Sequence, residues 1–239
     1  MKIALTGNRK SCEKLNIFLN FKYENIDLIE KNNQKKYFLM NINKYNCIFI
    51  MYSDYNFMLD ILSKIEDKKT VIVIDKKFLF NKFIKDTLIE KIQQGWIIYP
   101  YVIRNYDKYY IASSIKYLNQ DSRFQHIKCK IGHNINIVHW IFSVAPIIND
   151  INEKVNNIKV NKNKLYLITS KHIFNIEIEE VENSTVNDVI INNHQLSNPN
   201  YYKSLCHMLE SQNYECSNII KLIEDIYLLY DQSTHMLNY

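Results

Sequence analysis

Short apolar runs alternate with amphipathic segments through the first hundred residues. The runs 2–6 (KIALT), 47–52 (CIFIMY) and 70–74 (TVIVI) are apolar at consecutive positions, which is typical of strands buried on both faces. The segments between them space apolar residues three or four positions apart, which indicates helices with one buried face. Because strands and helices alternate, the pattern predicts a doubly wound parallel sheet over residues 1–103.

The pattern changes after Arg104. Helical spacing is found in 107–118, 135–142 and two closing segments, whereas 124–131, 164–169 and 172–181 have the composition of strands. Helices and strands no longer alternate regularly, so residues 104–239 are predicted to form an α+β domain with a mixed or antiparallel sheet. The fold class is therefore α/β, with an N-terminal Rossmann-like sheet followed by this second domain.

Composition narrows the function classes. The net charge is +5 and the chain has 18 tyrosines, which invites a nucleic-acid interpretation. However, lysines alternate with acids in stretches such as 83–92 (FIKDTLIEKI), as on a solvated helix face, and nucleic acid is disfavoured as a partner. The five cysteines are odd in number and include no C-x-x-C pair, so neither a disulfide framework nor a zinc site is indicated, and no metal is predicted.

The apolar runs bear on location. All of them are shorter than the roughly 20 residues that a membrane span needs, so no membrane partner is predicted. The N-terminal MKIALTG is too short an apolar stretch for a secretory signal, and a cytoplasmic location is expected.

Candidate chemistry follows the ends of the predicted strands. Gly7, Asn8 and Arg9 follow the first strand, Glu30 closes the second, and Asp75 and Lys76 follow the strand 70–74. A dinucleotide fingerprint needs G-x-G-x-x-G at the first turn so that the backbone approaches the pyrophosphate. Here Gly7 keeps the first glycine position, while Arg9 and Cys12 replace the second and third. Arg9 would then pair with a phosphate, or the ligand is changed or lost. An acid at position 30 would bind a ribose 2′-hydroxyl and favour NAD over NADP.

Three stretches resemble the glucose-fructose oxidoreductase and inositol dehydrogenase (Gfo/Idh/MocA) family. VIVIDKK resembles its Glu-Lys-Pro strand end, with Asp75 at the acid and Lys76 at the lysine. YVIRNYDKYYIASSIKYL resembles its Tyr-x-x-Arg and following helix, through Tyr101 and Arg104. GHNINIVHWIF resembles its His-x-Ile-Asp helix, with Asn136 at the aspartate, His133 and a later tryptophan.

The resemblance implies a role for each residue. Lys76 would orient and polarise a substrate oxygen, His133 would exchange the hydroxyl proton, and Asn136, on the same helix face as His133, would position the group. Gly7, Asn8, Arg9, Glu30 and Asp75 would bind NAD or NADP. The partners implied are a small-molecule sugar or nucleotide-linked sugar and a second copy in a homodimer.

Alternatives remain beside this oxidoreductase hypothesis. Lys76 is equally consistent with a solvated strand end, and His133 with a helix-end or packing histidine. A second hypothesis is a degenerate member that keeps the fold without turnover, as a partner subunit or ligand-binding scaffold. A third is a nucleic-acid-binding protein that uses a basic surface.

Overall fold

A computed structural model describes residues 1–7, 9–30, 32–51, 54–118, 121–132, 137–161, 164–182, 187–210 and 216–237. The chain divides into two compact units, Met1–Tyr101 with Ser211–Ile220 and Val102–Glu210 with Lys221–Tyr239. Independent domains over 1–103 and 104–239 remain a prediction. No helix in the described part of the chain is long and apolar enough to cross a membrane.

The first unit is a parallel sheet with helices. Its described strands are β1 (Lys2–Gly7), β2 (Asn25–Ile29), β3 (Cys47–Met51), β4 (Val71–Ile74) and β5 (Ile98–Pro100), and they run in the order β2-β1-β3-β4-β5. The helices between them are α1 (Arg9–Leu19), α2 (Asn32–Met40), α3 (Tyr55–Lys64) and α4 (Lys82–Gln93), with 3-10 helices at Ile42–Lys44 and Lys76–Phe80. Every neighbouring pair of these strands is parallel. The predicted doubly wound parallel sheet is confirmed.

Local sequence explains where these elements begin and end. All five residues of β3 are buried, which accounts for its uninterrupted apolar run. The side chains of Asp54 and Asn81 accept backbone hydrogen bonds at the starts of α3 and α4. Gly95, one residue beyond the C-cap Gln94 of α4, has φ +91°, a conformation that glycine adopts without steric cost and that favours the end of a helix.

The second unit is built around a mixed sheet. Its described strands are β6 (Phe124–Gly132), β7 (Val155–Asn161), β8 (Lys164–Thr169), β9 (Ile173–Val181), β10 (Asn187–Ile191) and β11 (His194–Gln195), in the order β11-β10-β6-β9-β8-β7. The helices are α5 (Lys108–Tyr117), α6 (Ile141–Asp150), α7 (Tyr201–Glu210) and α8 (Cys216–Leu237), the last of which spans the ranges of both units, with 3-10 helices at Ile103–Tyr106 and Ile137–Trp140. Strands β6 and β9 are parallel and the other pairs are antiparallel. The predicted α+β unit with a mixed sheet is confirmed.

The core of this unit lies on one face of the sheet. In β9 the side chains of Phe174, Ile176 and Ile178 are buried, while the residues between them are partly exposed. Helix α6 is buried from residue 141 to residue 148, so it is a core helix with no solvent face along that length. The predicted helix 135–142 differs from the structure, where a 3-10 turn precedes α6 and the helix continues to Asp150.

Candidate active site

The carboxyl ends of the parallel strands bring the candidate residues of the first unit to one edge of its sheet. Gly7 is opposite Met51 in the β1–β3 register, and Glu30 directly follows Ile29, the partner of Thr6 in β2. Asp75 and Lys76 follow β4 at the same edge. The chain places β2 on one side of β1 and β3 on the other, so the strand order reverses at β1. Open α/β sheets bind ligands at the carboxyl ends of strands beside such a reversal.

Gly7 is glycine because the neighbouring strand leaves no room for a side chain. A Cβ at this position would lie 2.8 Å from the Cβ of Met51 and 3.1 Å from the sulfur of Cys12. Cys12 is fully buried on α1, and burial together with the nearby charge of Glu30 raises the pKa of its thiol to about 11. The third glycine position of a fingerprint serves close helix–strand packing, and here a protonated cysteine fills that space.

The side chain of Arg9 lies in solvent at the start of α1. Its Nε donates to Glu13 Oε1 at 2.7 Å, and 78% of the side chain is exposed. This hydrogen bond, together with the charges of Glu13 and Glu30, raises the pKa of Arg9. The guanidinium therefore follows the outside of the helix toward Glu13. Asn8, the remaining residue predicted at this turn, lies outside the described residues.

Asp75 ends a strand and begins a helix. Its N–H donates to the carbonyl of Ile50 at 2.9 Å, and its carboxylate accepts the N–H of Lys77 at 3.0 Å as the N-cap of the 3-10 helix Lys76–Phe80. Capping is a sufficient physical reason for an acid after the apolar strand. Lys76 is the first residue of that 3-10 helix, and its side chain is partly exposed.

In the second unit the predicted catalytic His133 and Asn136 lie outside the described residues. The chain on either side is described: Gly132 ends β6, and the 3-10 turn Ile137–Trp140 leads into α6. Trp140 is fully buried, and its indole N–H has no hydrogen-bond acceptor in the described part of the structure.

Arg104 of the Tyr-x-x-Arg motif is a structural residue of the second unit. It is buried, and its guanidinium donates to the hydroxyl of Ser143 in α6 and to the carbonyl of Asn187 in β10. It also lies over the ring of Tyr110, 5.2 Å from the centroid, and the Tyr110 hydroxyl donates to the carbonyl of Ser143. The motif therefore ties the 3-10 helix Ile103–Tyr106 to a core helix and to the sheet.

Sequence reasoning missed one arrangement of ionisable groups. Glu153, after α6, and His172, before β9, form a pair with 2.6 Å between Oε1 and Nδ1. Neither belongs to a recognisable motif, and the antiparallel pairing of β7 with β8, in which Val155 is opposite Thr169, brings them together. Among the described residues, no group of three or more His, Cys, Asp or Glu side chains is arranged to hold a metal ion.

Comparison with known proteins identifies the fold. No protein-family model and no curated protein sequence matches the chain. Among solved structures, the chain is similar to the dehydrogenase MviM from Clostridium difficile, with 13% identity, a TM-score of 0.66 and coverage of 99% of both chains. It is also similar to UDP-N-acetylglucosamine 3-dehydrogenase GnnA from Acidithiobacillus ferrooxidans, at 7% identity, a TM-score of 0.67 and coverage of 97% of each chain.

A third similar structure was solved with ligands. The WlbA dehydrogenase from Thermus thermophilus, in complex with NAD and UDP-GlcNAcA, has 10% identity and a TM-score of 0.63, with 96% of this chain and 95% of that chain covered. The chain therefore has the fold of these dehydrogenases over its whole length. They are of the Gfo/Idh/MocA type, and the resemblance seen in the sequence is confirmed at the level of the fold.

Proposed function

We propose that this protein is an NAD(P)-dependent oxidoreductase that acts on a hydroxyl or ketone of a sugar or nucleotide-linked sugar. The observation that carries the proposal is the whole-length likeness of fold to dehydrogenases, one of them solved with NAD and a UDP-linked sugar. Fold alone does not fix activity. The residues at the sheet edge must therefore be compatible with a nicotinamide dinucleotide.

Two features of the described residues at the first turn support a cofactor site there. Gly7 has no side chain at the end of β1, so the backbone there is open to a cofactor. Cys12 fills the space between α1 and the strand where a fingerprint has its third glycine. The guanidinium of Arg9 is bonded to Glu13 on the outside of the helix. Because most of the Arg9 side chain is exposed, it can leave Glu13 and rotate toward a bound phosphate. In this proposal Gly7, Asn8 and Arg9 bind the pyrophosphate, and Glu30 binds the adenosine ribose. Asp75 would contact the cofactor from the end of β4.

When it is bound, the nicotinamide supplies the acceptor or donor of a hydride. Lys76 orients and polarises the substrate oxygen, since it is delivered to the carboxyl edge by β4 and by the cap at Asp75. His133 removes or returns the hydroxyl proton near neutral pH. Asn136, three positions after His133 in the sequence, positions the same oxygen.

The test is titration of the purified protein with NADH and NADPH, followed by nicotinamide emission. Arg9→Glu is expected to weaken binding by about tenfold or more, because it replaces a phosphate partner by a like charge. Lys64→Glu, at the end of α3, is the matched control for charge reversal and should bind as the wild type does. Lys76→Ala should keep cofactor binding and lose turnover of a sugar substrate. Absence of binding at millimolar cofactor would refute the dehydrogenase proposal.

One observation favours a second candidate, a non-catalytic scaffold with the same fold. Two of the three fingerprint positions carry side chains, Arg9 and Cys12, in place of glycine. A scaffold would bind neither NADH nor NADPH, and it would copurify with a partner subunit at constant stoichiometry. The cofactor titration therefore separates the two candidates.

We also propose that the protein self-associates through the outward face of the six-stranded sheet. On this face β6 presents basic side chains beside acidic ones from β9, with Lys128 2.7 Å from Glu179 and His126 3.6 Å from Glu177. In a two-fold symmetric dimer, β6 of one copy would lie against β9 of the other, so that basic side chains face acidic ones. Analytical ultracentrifugation should show a dimer that Lys128→Glu weakens. We also propose a cytoplasmic location, which is consistent with the proposed oxidoreductase function.

A further inference from the structure

The second unit contains a cavity of about 390 Å³ that none of the predicted site residues lines. It lies at the ends of α5 and α6 and beside the β8–β9 turn, with Leu118 and Ile151 among its apolar walls. The volume falls within the range of about 300–1,000 Å³ that is usual for small-molecule sites. Asp150, Glu153, Lys171 and His172 supply its ionisable groups.

Glu153 organises the polar side of this cavity. Its side chain is only 4% exposed, and its two oxygens accept hydrogen bonds from His172 Nδ1, at 2.6 Å, and from the hydroxyl of Thr169. Burial alone would raise the pKa of Glu153, but the hydrogen bonds from Thr169 and His172 outweigh it, and the pKa is lowered. Glu153 is therefore a carboxylate that accepts hydrogen bonds from Thr169 and His172. It orients the imidazole of His172 so that Nδ1 donates to it.

Two charged groups of the cavity have no partner among the described residues. The carboxylate of Asp150 and the ammonium of Lys171 line the same cavity and form no hydrogen bond or ion pair within the described part of the chain. The cavity thus combines an unpaired carboxylate, an unpaired ammonium and an apolar wall.

We propose that this cavity binds a small zwitterion, an α-amino acid with an apolar side chain. Asp150 accepts hydrogen bonds from the ligand ammonium, and Lys171 pairs with the ligand carboxylate. The apolar side chain of the ligand packs on Leu118 and Ile151. The site goes beyond the proposed oxidoreductase function and is independent of it, because its lining contains none of the residues assigned to cofactor or catalysis.

Isothermal titration calorimetry with L-alanine, L-leucine and L-phenylalanine tests the proposal, since these probes span small to large apolar side chains. At least one of them is expected to bind with a dissociation constant of about 1 mM or lower. Asp150→Asn and Lys171→Gln are each expected to weaken that binding by roughly tenfold or more. Lys154→Gln is the matched control: Lys154 is also exposed and close in sequence, but it does not line the cavity.

Two analogues of leucine separate the two charges of the ligand. 4-Methylpentanoate lacks the ammonium and isoamylamine lacks the carboxylate, and both should bind more weakly than the amino acid. The proposal is overturned if all three amino acids give no heat at about 10 mM, or if an analogue binds as well as its parent. It is equally overturned if the cavity variants bind like the wild type. Because Asp150 and Lys171 are exposed, their variants should fold, and an unchanged far-ultraviolet circular dichroism spectrum and unfolding midpoint confirm that they do.

Discussion

Replacement of Gly7 by alanine should destabilise the first unit even without a ligand. The new methyl group would lie 2.8 Å from Met51 Cβ and 3.2 Å from the Met51 carbonyl carbon. Optimal carbon contacts are about 3.5–4.0 Å, so the shortest distance falls short by about 0.7 Å. Both Met51 atoms are fixed to the backbone of β3, and no rotamer change relieves the overlap. Strands β1 and β3 must separate, at a cost of about 1–3 kcal/mol for an overpacked site.

Urea unfolding, followed by far-ultraviolet circular dichroism, measures this cost against a matched glycine. Gly95→Ala meets no atom within 4 Å, but φ is +91° at this position, so its cost of about 1 kcal/mol comes from backbone strain alone. Met51→Gly removes the nearest clashing atom. In that background Gly7→Ala should cost less than it does in the wild type, whereas the cost of Gly95→Ala should not change.

Two results would refute this reasoning. The first is an unchanged unfolding midpoint for Gly7→Ala, which would mean that the strands accommodate the methyl group. The second is an equal cost of Gly7→Ala in the wild-type and Met51→Gly backgrounds, which would mean that Met51 is not the obstacle. A variant of normal stability that no longer binds NADH would instead assign Gly7 to cofactor approach alone.

Three further predictions concern the ionisable residues. Glu153→Gln should lower the free energy of unfolding at pH 7 by about 1–3 kcal/mol, because it weakens buried bonds to Thr169 and His172. The pKa of Glu153 is lowered in the folded state, so its stabilising contribution is fully present above the unfolded carboxyl pKa of about 4.3. That contribution is lost as the pH falls through the folded-state pKa of Glu153. The difference in stability between wild type and variant should therefore shrink in unfolding curves measured in acid. Arg104→Met should cost about 1.5–3 kcal/mol in thermal unfolding at neutral pH, because it removes charged donors from one buried and one partly buried acceptor, and a smaller loss would contradict its structural role. Glu30→Ala should shift the ratio of NADPH to NADH affinity toward NADPH by about tenfold, measured by nicotinamide emission, and an unchanged ratio would remove Glu30 from the ribose site.

The sequence by itself determined the type of each half. A strand covered on both faces must be apolar throughout, so β3 and β4 were visible as runs. A strand covered on one face alternates, as β9 does. The end of α4 likewise depends on a nearby residue, Gly95, which follows the C-cap Gln94 with φ +91°. These features follow from interactions within a few residues along the chain.

Polar elements were missed because their stability comes from distant partners. Strand β7 (VNNIKVN) has a weak strand pattern, and it exists by pairing with β8. Helix α2 (NNQKKYFLM) begins with five polar residues, so its helical pattern of apolar positions is weak. The parallel pairing of β6 with β9 joins segments that are far apart in sequence, and no periodicity encodes that choice.

Only the tertiary structure decided what the candidate side chains contact. The sequence marked Gly7 as a fingerprint glycine, but the reason for it, the backbone of Met51, belongs to another strand. Asp75 was interpreted through a family motif, and the structure adds a cap on the following turn. Glu153 and His172 had no signal at all, because a hydrogen-bonded pair is set by the path of the hairpin between them. Local pattern fixes which face of an element is buried, whereas the identity of its neighbours depends on long-range packing.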